Sequence, residues 1–359
     1  MKHNRIESLD YLRGVMALSV MIYHYSSWSG VELENGSMLS KLGVYAVSIF
    51  YILSGLSLSI VYRNKINSPI EIGQLFIRRI FRIAPLFWIS VFSALALNYL
   101  GSALKDVPYQ FDFLKIFLNI TLLFGFIRPA AYLSTGAWSI GNEMVFYAIL
   151  PILFLFSSRH FWIFPAMLLT SIILGATFAI FWMDPAQSIV DQWGIYINPL
   201  NQIFLFMGGV AIGTYSRPAR TIVGGSIAIA AFIVFWLYPV NGDRIQLVTG
   251  FGRFCLSLAC LAFVWATYIT SIQFKGAIAK ALSFLGESCY SIYLMHPLVA
   301  VPIVFFANRI GFKLESAYCL ATAATLLTSW LTFKYIEKPM MRVGRKIAYN
   351  LQTRQVAPA

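Results

Sequence analysis

The amino-acid sequence predicts an all-α polytopic membrane protein with about ten transmembrane helices and both termini cytoplasmic. It adds one short re-entrant or interfacial helix near 113–127. Three observations predict this class. Of the 359 residues, 59% are hydrophobic and only 11% are charged, against about 25% charged in a soluble protein. The apolar residues come in runs of about 18–22, the length that crosses a hydrocarbon core of ~30 Å. The basic residues sit in short connectors between those runs, where the positive-inside rule puts them.

The expected spans are 9–29, 43–62, 84–101, 137–157, 161–182, 197–215, 221–240, 251–271, 283–307 and 316–335. The run at 113–127 begins Asp112-Phe113-Leu114-Lys115, and its length alone leaves its path open. Charge decides the count. If 113–127 does not cross, the inner connectors carry 19 of the 27 basic residues, from Lys2 and Arg5 to Arg354. The outer connectors carry the rest, offset by Glu32, Glu34, Asp106, Asp112, Asp184, Asp191, Asp243 and Glu315. One transmembrane domain over 1–345 and a short cytoplasmic tail over 346–359 follow. The net charge of +13 is read as orientation, with membrane lipids and not nucleic acid as the partner. The first run lacks a small-residue cleavage site and reads as a retained helix. Cys255, Cys260, Cys289 and Cys319 all fall in apolar runs without metal-ligand spacing, so four buried, inert thiols and no metal site are expected.

Titratable groups inside spans are costly, and each is a candidate for function. Arg13 and His24 are eleven residues apart on the first span, so they return to one helix face within about 20°. Their axial separation is ~16 Å. Asp10 lies on the same face, three residues before Arg13, and can pair with it. Snorkelling by Arg13 and packing by His24 are the alternatives. In the fourth span, Trp138-Ser139-Ile140-Gly141-Asn142-Glu143 places a carboxylate at a depth like that of His24, with Ser139 and Asn142 as nearby hydrogen-bonding groups. A His24–Glu143 pair would serve as a general base for a hydroxyl; a buried structural ion pair is the alternative. Arg78, Arg79 and Arg82 form a basic cluster in which Arg79 and Arg82 share a face. Arginine forks suit phosphates, and lipid headgroups compete for the same role. The small residues of 43–55 favour close helix packing. His296 precedes Pro297 in mid-span, as kink support or a second cavity histidine. Glu337-Lys338-Pro339 reads as a helix end.

These stretches, taken in order, resemble the integral-membrane acyltransferase-3 family of bacteria. Leu9-Asp10-Tyr11-Leu12-Arg13-Gly14 with His24 is similar to the family's Arg-x10-His. Phe50-Tyr51-Ile52-Leu53-Ser54-Gly55 resembles Phe-Phe-x-Leu-Ser-Gly, with Tyr51 and Leu56 as departures. Arg79-Ile80-Phe81-Arg82 resembles Arg-x-x-Arg. Trp138 to Tyr147 resembles Trp-Ser-x-x-x-Glu-x-x-Phe-Tyr, and Ser291 to Pro297 resembles the late Tyr-x-x-His-x-Pro, matching it in Tyr293-Leu294-Met295-His296 with Pro297 directly after the histidine. The resemblance covers about 6–340 and implies an O-acetyltransferase of the bacterial inner (cytoplasmic) membrane. It implies acetyl-CoA as a co-substrate, with no permanently bound cofactor, and a hydroxyl of a cell-surface or exported polysaccharide or lipid-linked glycan as acceptor.

On that basis His24 and Glu143 are the expected catalytic residues. Arg13, Arg78, Arg79 and Arg82 are expected to hold the donor. Trp138, Ser139, Asn142, Tyr147 and His296 are expected to line the acceptor side. Trp28, Trp138 and Trp193 could stack on sugars or form an interfacial belt. Some family members carry an appended periplasmic hydrolase-like domain. This chain ends soon after its last run, so it acts alone or with a separate periplasmic partner protein. A transporter or flippase for a glycan or lipid-linked intermediate is the rival function.

Overall fold

A computed structural model describes residues 6–219 and 222–356, all of whose regular elements are helical. The expected inner basic residues Lys2, Arg5 and Arg220 lie outside the described residues, as does the side chain of Arg354. Seven helical segments are long and apolar enough to cross a membrane: Met38–Tyr62, Pro69–Ala103, Trp138–Ser157, Ile163–Trp182, Trp193–Tyr215, Gly250–Thr270 and Cys289–Arg309. Ile222–Leu237 is apolar but shorter. Glu7–Trp28 and Leu314–Thr332 have the length. Their polar residues, Asp10, Arg13 and His24 in the first and Glu315 with its Thr and Ser neighbours in the second, set them apart from those seven.

The helices group into two compact units. Unit one holds the described residues up to Lys65 together with Phe156–Cys289. Its helices are α1 (Glu7–Trp28) and α2 (Met38–Tyr62). Unit two holds the described residues of Ile66–Leu155 and those from Tyr290 onward. Its first helices are α3 (Pro69–Ala103), α4 (Phe113–Ile120), α5 (Phe124–Ile127) and α6 (Trp138–Ser157), whose last two residues fall in unit one. Unit one continues with α7 (Ile163–Thr177), α8 (Trp193–Tyr196), α9 (Pro199–Tyr215), α10 (Ile222–Leu237), α11 (Gly250–Thr270) and α12 (Gly276–Glu287). Unit two closes with α13 (Cys289–Arg309), α14 (Leu314–Thr332) and α15 (Lys338–Val356).

Small residues set the packing of unit one, as the sequence expects for 43–55. A Cβ on Gly55 would lie 2.1 Å from the Phe206 carbonyl oxygen, and one on Gly209 would lie 2.0 Å from that of Ile52. The α2 and α9 backbones therefore touch, an approach only glycine allows. The same device holds α12 on α1: a Cβ on Gly14 would lie 2.6 Å from Gly286 N, and one on Gly286 would lie 2.4 Å from the Asp10 carbonyl oxygen.

In unit two, α3 runs unbroken for 35 residues, about 52 Å at 1.5 Å per residue. Glu71 caps its start, accepting from Asn67 N at 2.7 Å and Ser68 N at 2.8 Å. The arginine cluster is therefore not in a loose connector; it rides on the same continuous helix as the expected third span, with Pro85 between them. The ambiguous run at 113–127 forms α4, of 8 residues, and α5, of 4 residues, both too short to cross.

Three expectations change. The run 283–307 is divided at Ser288, the C-cap of α12, whose backbone N–H and hydroxyl both donate to the Phe284 carbonyl, at 3.0 and 2.6 Å. Glu337-Lys338-Pro339 is not a helix end. The chain passes from α14 through a π-helical turn, Phe333–Glu337, into α15. Pro339 lacks an N–H and crowds the carbonyl four residues earlier, and the wider turn absorbs that defect. Finally, Cys319 is exposed on α14 and Cys255 half-buried, leaving Cys260 and Cys289 as the buried thiols.

Candidate active-site residues

Unit one carries Arg13 and His24 on α1. Arg13 is committed to protein partners. Its Nη1 donates to Asp10 Oδ1 at 2.9 Å, the pairing the spacing predicts. Its Nη2 donates to the Leu53 carbonyl at 3.2 Å and to the Ser57 hydroxyl, so the guanidinium clamps α1 to α2. His24 stands at the other end of α1, half-buried. Its ring stacks on Trp28 at 5.0 Å and 12°, and is tilted against Tyr23 at 5.5 Å. Trp28 is 39% exposed and also contacts the Tyr25 ring at 6.1 Å. Trp193 is half-buried against Tyr196, 5.4 Å away.

Unit two gathers most of the other candidates around α3, α6 and α13. Tyr147 follows Glu143 by one helical turn, and its hydroxyl donates to Glu143 Oε2 at 2.7 Å. The Arg79 guanidinium lies 5.7 Å from the Tyr147 ring centroid, so the buried tyrosine links the arginine to the carboxylate. The Nε atoms of Arg78 and Arg79 are buried and have no hydrogen-bond partner among the described residues. Such groups are costly to leave unpaired. Arg82 belongs to the same neighbourhood through Tyr290 of α13. The Tyr290 hydroxyl donates to the Ile83 carbonyl at 2.9 Å, and Glu337, Glu143, Arg82 and Tyr147 all act on it electrostatically.

The segment leading into α6 is pinned. Asn119, fully buried, donates to the Lys115 carbonyl at 2.8 Å and the Ala131 carbonyl at 2.6 Å, and accepts from Leu133 N at 3.1 Å. Trp88 ties α4 to α3 through the Ile120 carbonyl at 2.9 Å. Gly136 turns the chain with φ +79°, where a side chain is disfavoured. Ser139 then donates to Tyr293 Oη at 3.0 Å, and Tyr293 donates to the Gly136 carbonyl at 2.8 Å. Trp138 is 6% exposed, and Asn142 and His296 are 0% exposed. His296 Nδ1 is 3.1 Å from the Ile292 carbonyl, which can only accept. Nδ1 is therefore the donor of that bond.

Sequence reasoning missed Glu337. It is 4% exposed and accepts from Ser291, which in turn accepts from Thr332 at 3.0 Å. Burial pushes its carboxyl up to about 7, outweighing the Ser291 hydrogen bond and the Arg82 charge that favour ionisation. Its sequence signal was a carboxylate two residues before a proline on an unbroken helical pattern.

These features define a multi-pass, all-helical membrane protein with a half-buried arginine–tyrosine–carboxylate cluster built around the buried Tyr147. A family model for an acyltransferase domain matches residues 6–334, and the chain belongs to that acyltransferase-3 family. It is 24% identical to a peptidoglycan O-acetyltransferase OatA of Listeria monocytogenes, over 94% of this chain and 56% of the relative. It is 24% identical to an O-acetyltransferase OatA of Staphylococcus aureus, over 95% of this chain and 58% of the relative. It is 25% identical to an exopolysaccharide production protein ExoZ of Rhizobium meliloti, over 90% of this chain and 96% of the relative. The chain thus spans somewhat over half the length of the OatA relatives. No solved structure matches it.

Proposed function

We propose that this chain is a membrane O-acetyltransferase that moves an acetyl group from cytoplasmic acetyl-CoA to a hydroxyl of a cell-surface or exported polysaccharide. It works in the bacterial inner membrane, with ten spans and both termini cytoplasmic. The family, the O-acetyltransferase and exopolysaccharide names of its relatives, and the charge asymmetry of its connectors support this reading.

The observation that carries it is the pair of open guanidinium groups, Arg78 and Arg79, beside the Tyr147–Glu143 hydrogen bond. Two unpaired cations on one continuous helix suit the phosphates of a CoA donor. Arg82, already facing Glu337, orients that array. Arg13 holds α1 at the angle that presents His24. In the transfer, the His24 imidazole takes the proton of the acceptor hydroxyl, and Glu143 is the second titratable group of that proton transfer. The acceptor oxygen attacks the acetyl carbonyl carbon and the carbon–sulfur bond breaks. The CoA thiolate leaves and takes the proton back from the imidazolium. Ser139, Asn142, Trp138, Tyr147 and His296 shape the acceptor side.

The test is transfer of labelled acetyl from acetyl-CoA to surface glycan in membranes bearing wild type, His24→Ala or Glu143→Ala. General-base loss costs about 100- to 10,000-fold, and both variants should fall by at least the lower figure at equal protein level. Undiminished acetylation in both would remove the mechanism. Glycan movement that needs no acetyl-CoA would replace it with transport.

A further inference from the structure

The strongest unassigned feature lies beside His24, in unit one. The linker between α10 and α11 carries a 3-10 turn, Arg244–Leu247. Asp243 caps that turn, accepting from Ile245 N at 2.8 Å and from Ile189 N at 3.3 Å. Its Oδ1 is engaged by these two backbone amides, and it makes no ion pair with the neighbouring Arg244.

Arg244 instead reaches over α1. Its Nε donates to Asn35 Oδ1 at 2.9 Å, its Nη1 donates to the Tyr23 hydroxyl, and its guanidinium lies 5.5 Å from the Tyr23 ring centroid. Asn35 is itself held by the Gly242 carbonyl at 2.8 Å. Among the described residues Arg244 makes no ion pair, and its Nη2 makes no hydrogen bond. Partial burial lowers its pKa, yet a guanidinium stays charged at any physiological pH.

A half-buried cation without a counter-ion is expensive unless something anionic visits it. Its position says what visits. The Tyr23 ring is 5.5 Å from the His24 ring, so the cation lies no more than about 11 Å from the imidazole. Trp28, stacked on His24 and 39% exposed, adds an aromatic ring. A cation, an imidazole and an indole this close together suit a sugar bearing a negative group, with arginine suited to carboxylate or phosphate.

We infer that Arg244 is a specificity-determining residue that receives a carboxylate or phosphate substituent of the glycan acceptor and so sets which hydroxyl reaches His24. This rests on the acetyltransferase reading for its consequence, but not for the binding itself. Asn35 and Tyr23 hold the guanidinium in place, and its unused edge takes the anion.

The experiment uses three probes: a uronic-acid oligosaccharide, its carboxyl-reduced neutral counterpart, and the same neutral oligosaccharide bearing a phosphate. Binding is measured without donor on the full chain in nanodiscs, and acetyl transfer is then measured with acetyl-CoA. Wild type should bind the anionic probes at least tenfold tighter than the neutral one, and the stronger of the two names the anion. Arg244→Gln should erase that preference, raising KM for the anionic acceptor about tenfold with kcat and the neutral KM unmoved. Arg244→Lys should restore part of it. Equal affinity of wild type for all three probes, or equal loss in Arg244→Gln for charged and neutral acceptors, would overturn the assignment in favour of a tether between linkers. Anion binding that depends on Arg244 without any acetyl transfer would sink the acetyltransferase reading alone.

Discussion

Arg13 and Arg79 are both arginines on long helices, but their surroundings are opposite. Arg13 is engaged inside the protein: one carboxylate, one backbone carbonyl and one hydroxyl accept from its two terminal nitrogens, and two helices are joined as a result. Arg79 has a tyrosine ring beneath it and a buried Nε with no partner, and Arg78 next to it is equally open. A guanidinium whose two terminal nitrogens are both bonded inside the protein holds structure. One whose donors are buried and unused is prepared for something that arrives. Arg82 lies between the extremes, with Glu337 as its internal counter-charge. The comparison divides the four arginines expected to bind donor into one clamp, one compensated charge and two open ones.

The sharpest way to break that division is Arg13→Ala. It leaves Asp10, 15% exposed, without its cation and frees two acceptors on α2. Removing one partner of a largely buried pair costs about 4 kcal/mol. Unfolding of the purified protein in detergent should show that loss, with the donor KM of the surviving folded fraction unchanged. An unaltered unfolding midpoint with a raised donor KM would move Arg13 into the donor site.

How much of this was legible in the sequence follows from sequence distance. The Arg13–Asp10 pair and the Glu143–Tyr147 turn lie within a helix period, where spacing makes them neighbours, and the small residues of 43–55 signal a close seam without naming its partner helix. The Arg244–Tyr23 bond joins residues 221 apart, and the Ser291–Glu337 bond joins residues 46 apart. No periodicity signals such pairs; they exist only after the helices pack. Arg253 was passed over for the same reason. It is 1% exposed, bonded to Gln202 at 2.9 Å and flanked by the Tyr45 and Phe204 rings, none of them near it in sequence. The helix boundary at Ser288 and the π-helical turn before Pro339 show the other limit. Hydropathy sees an apolar run and does not see a hydroxyl or a proline redirecting its hydrogen bonds.

Glu337 tests the middle case. Its folded carboxyl titrates at about 7, above its ordinary value of 4.5. The folded state therefore holds a proton that the unfolded chain has already released. Stability is highest below pH 4.5 and falls as pH rises toward 7, by about 3 kcal/mol in total from linkage. Glu337→Gln should flatten that slope in thermal unfolding measured from pH 4.5 to 7. If the slope persists in the variant, another group carries it, and Glu337 is not the charge that compensates Arg82.

The smallest expected effect discriminates best. Arg79→Ala removes no hydrogen bond, so stability should move by less than about 0.5 kcal/mol. Its loss should instead appear as a donor KM raised about tenfold, equivalent to about 1.4 kcal/mol of binding. Arg79→Lys keeps the charge but not the planar fork over Tyr147, and should recover only part of that affinity, because a point charge cannot make two parallel bonds to one phosphate. Full recovery by lysine would mean that the site reads charge alone. A change confined to the acceptor KM would place Arg79 on the glycan side, and the open edge that distinguishes it from Arg13 would then face sugar and not CoA.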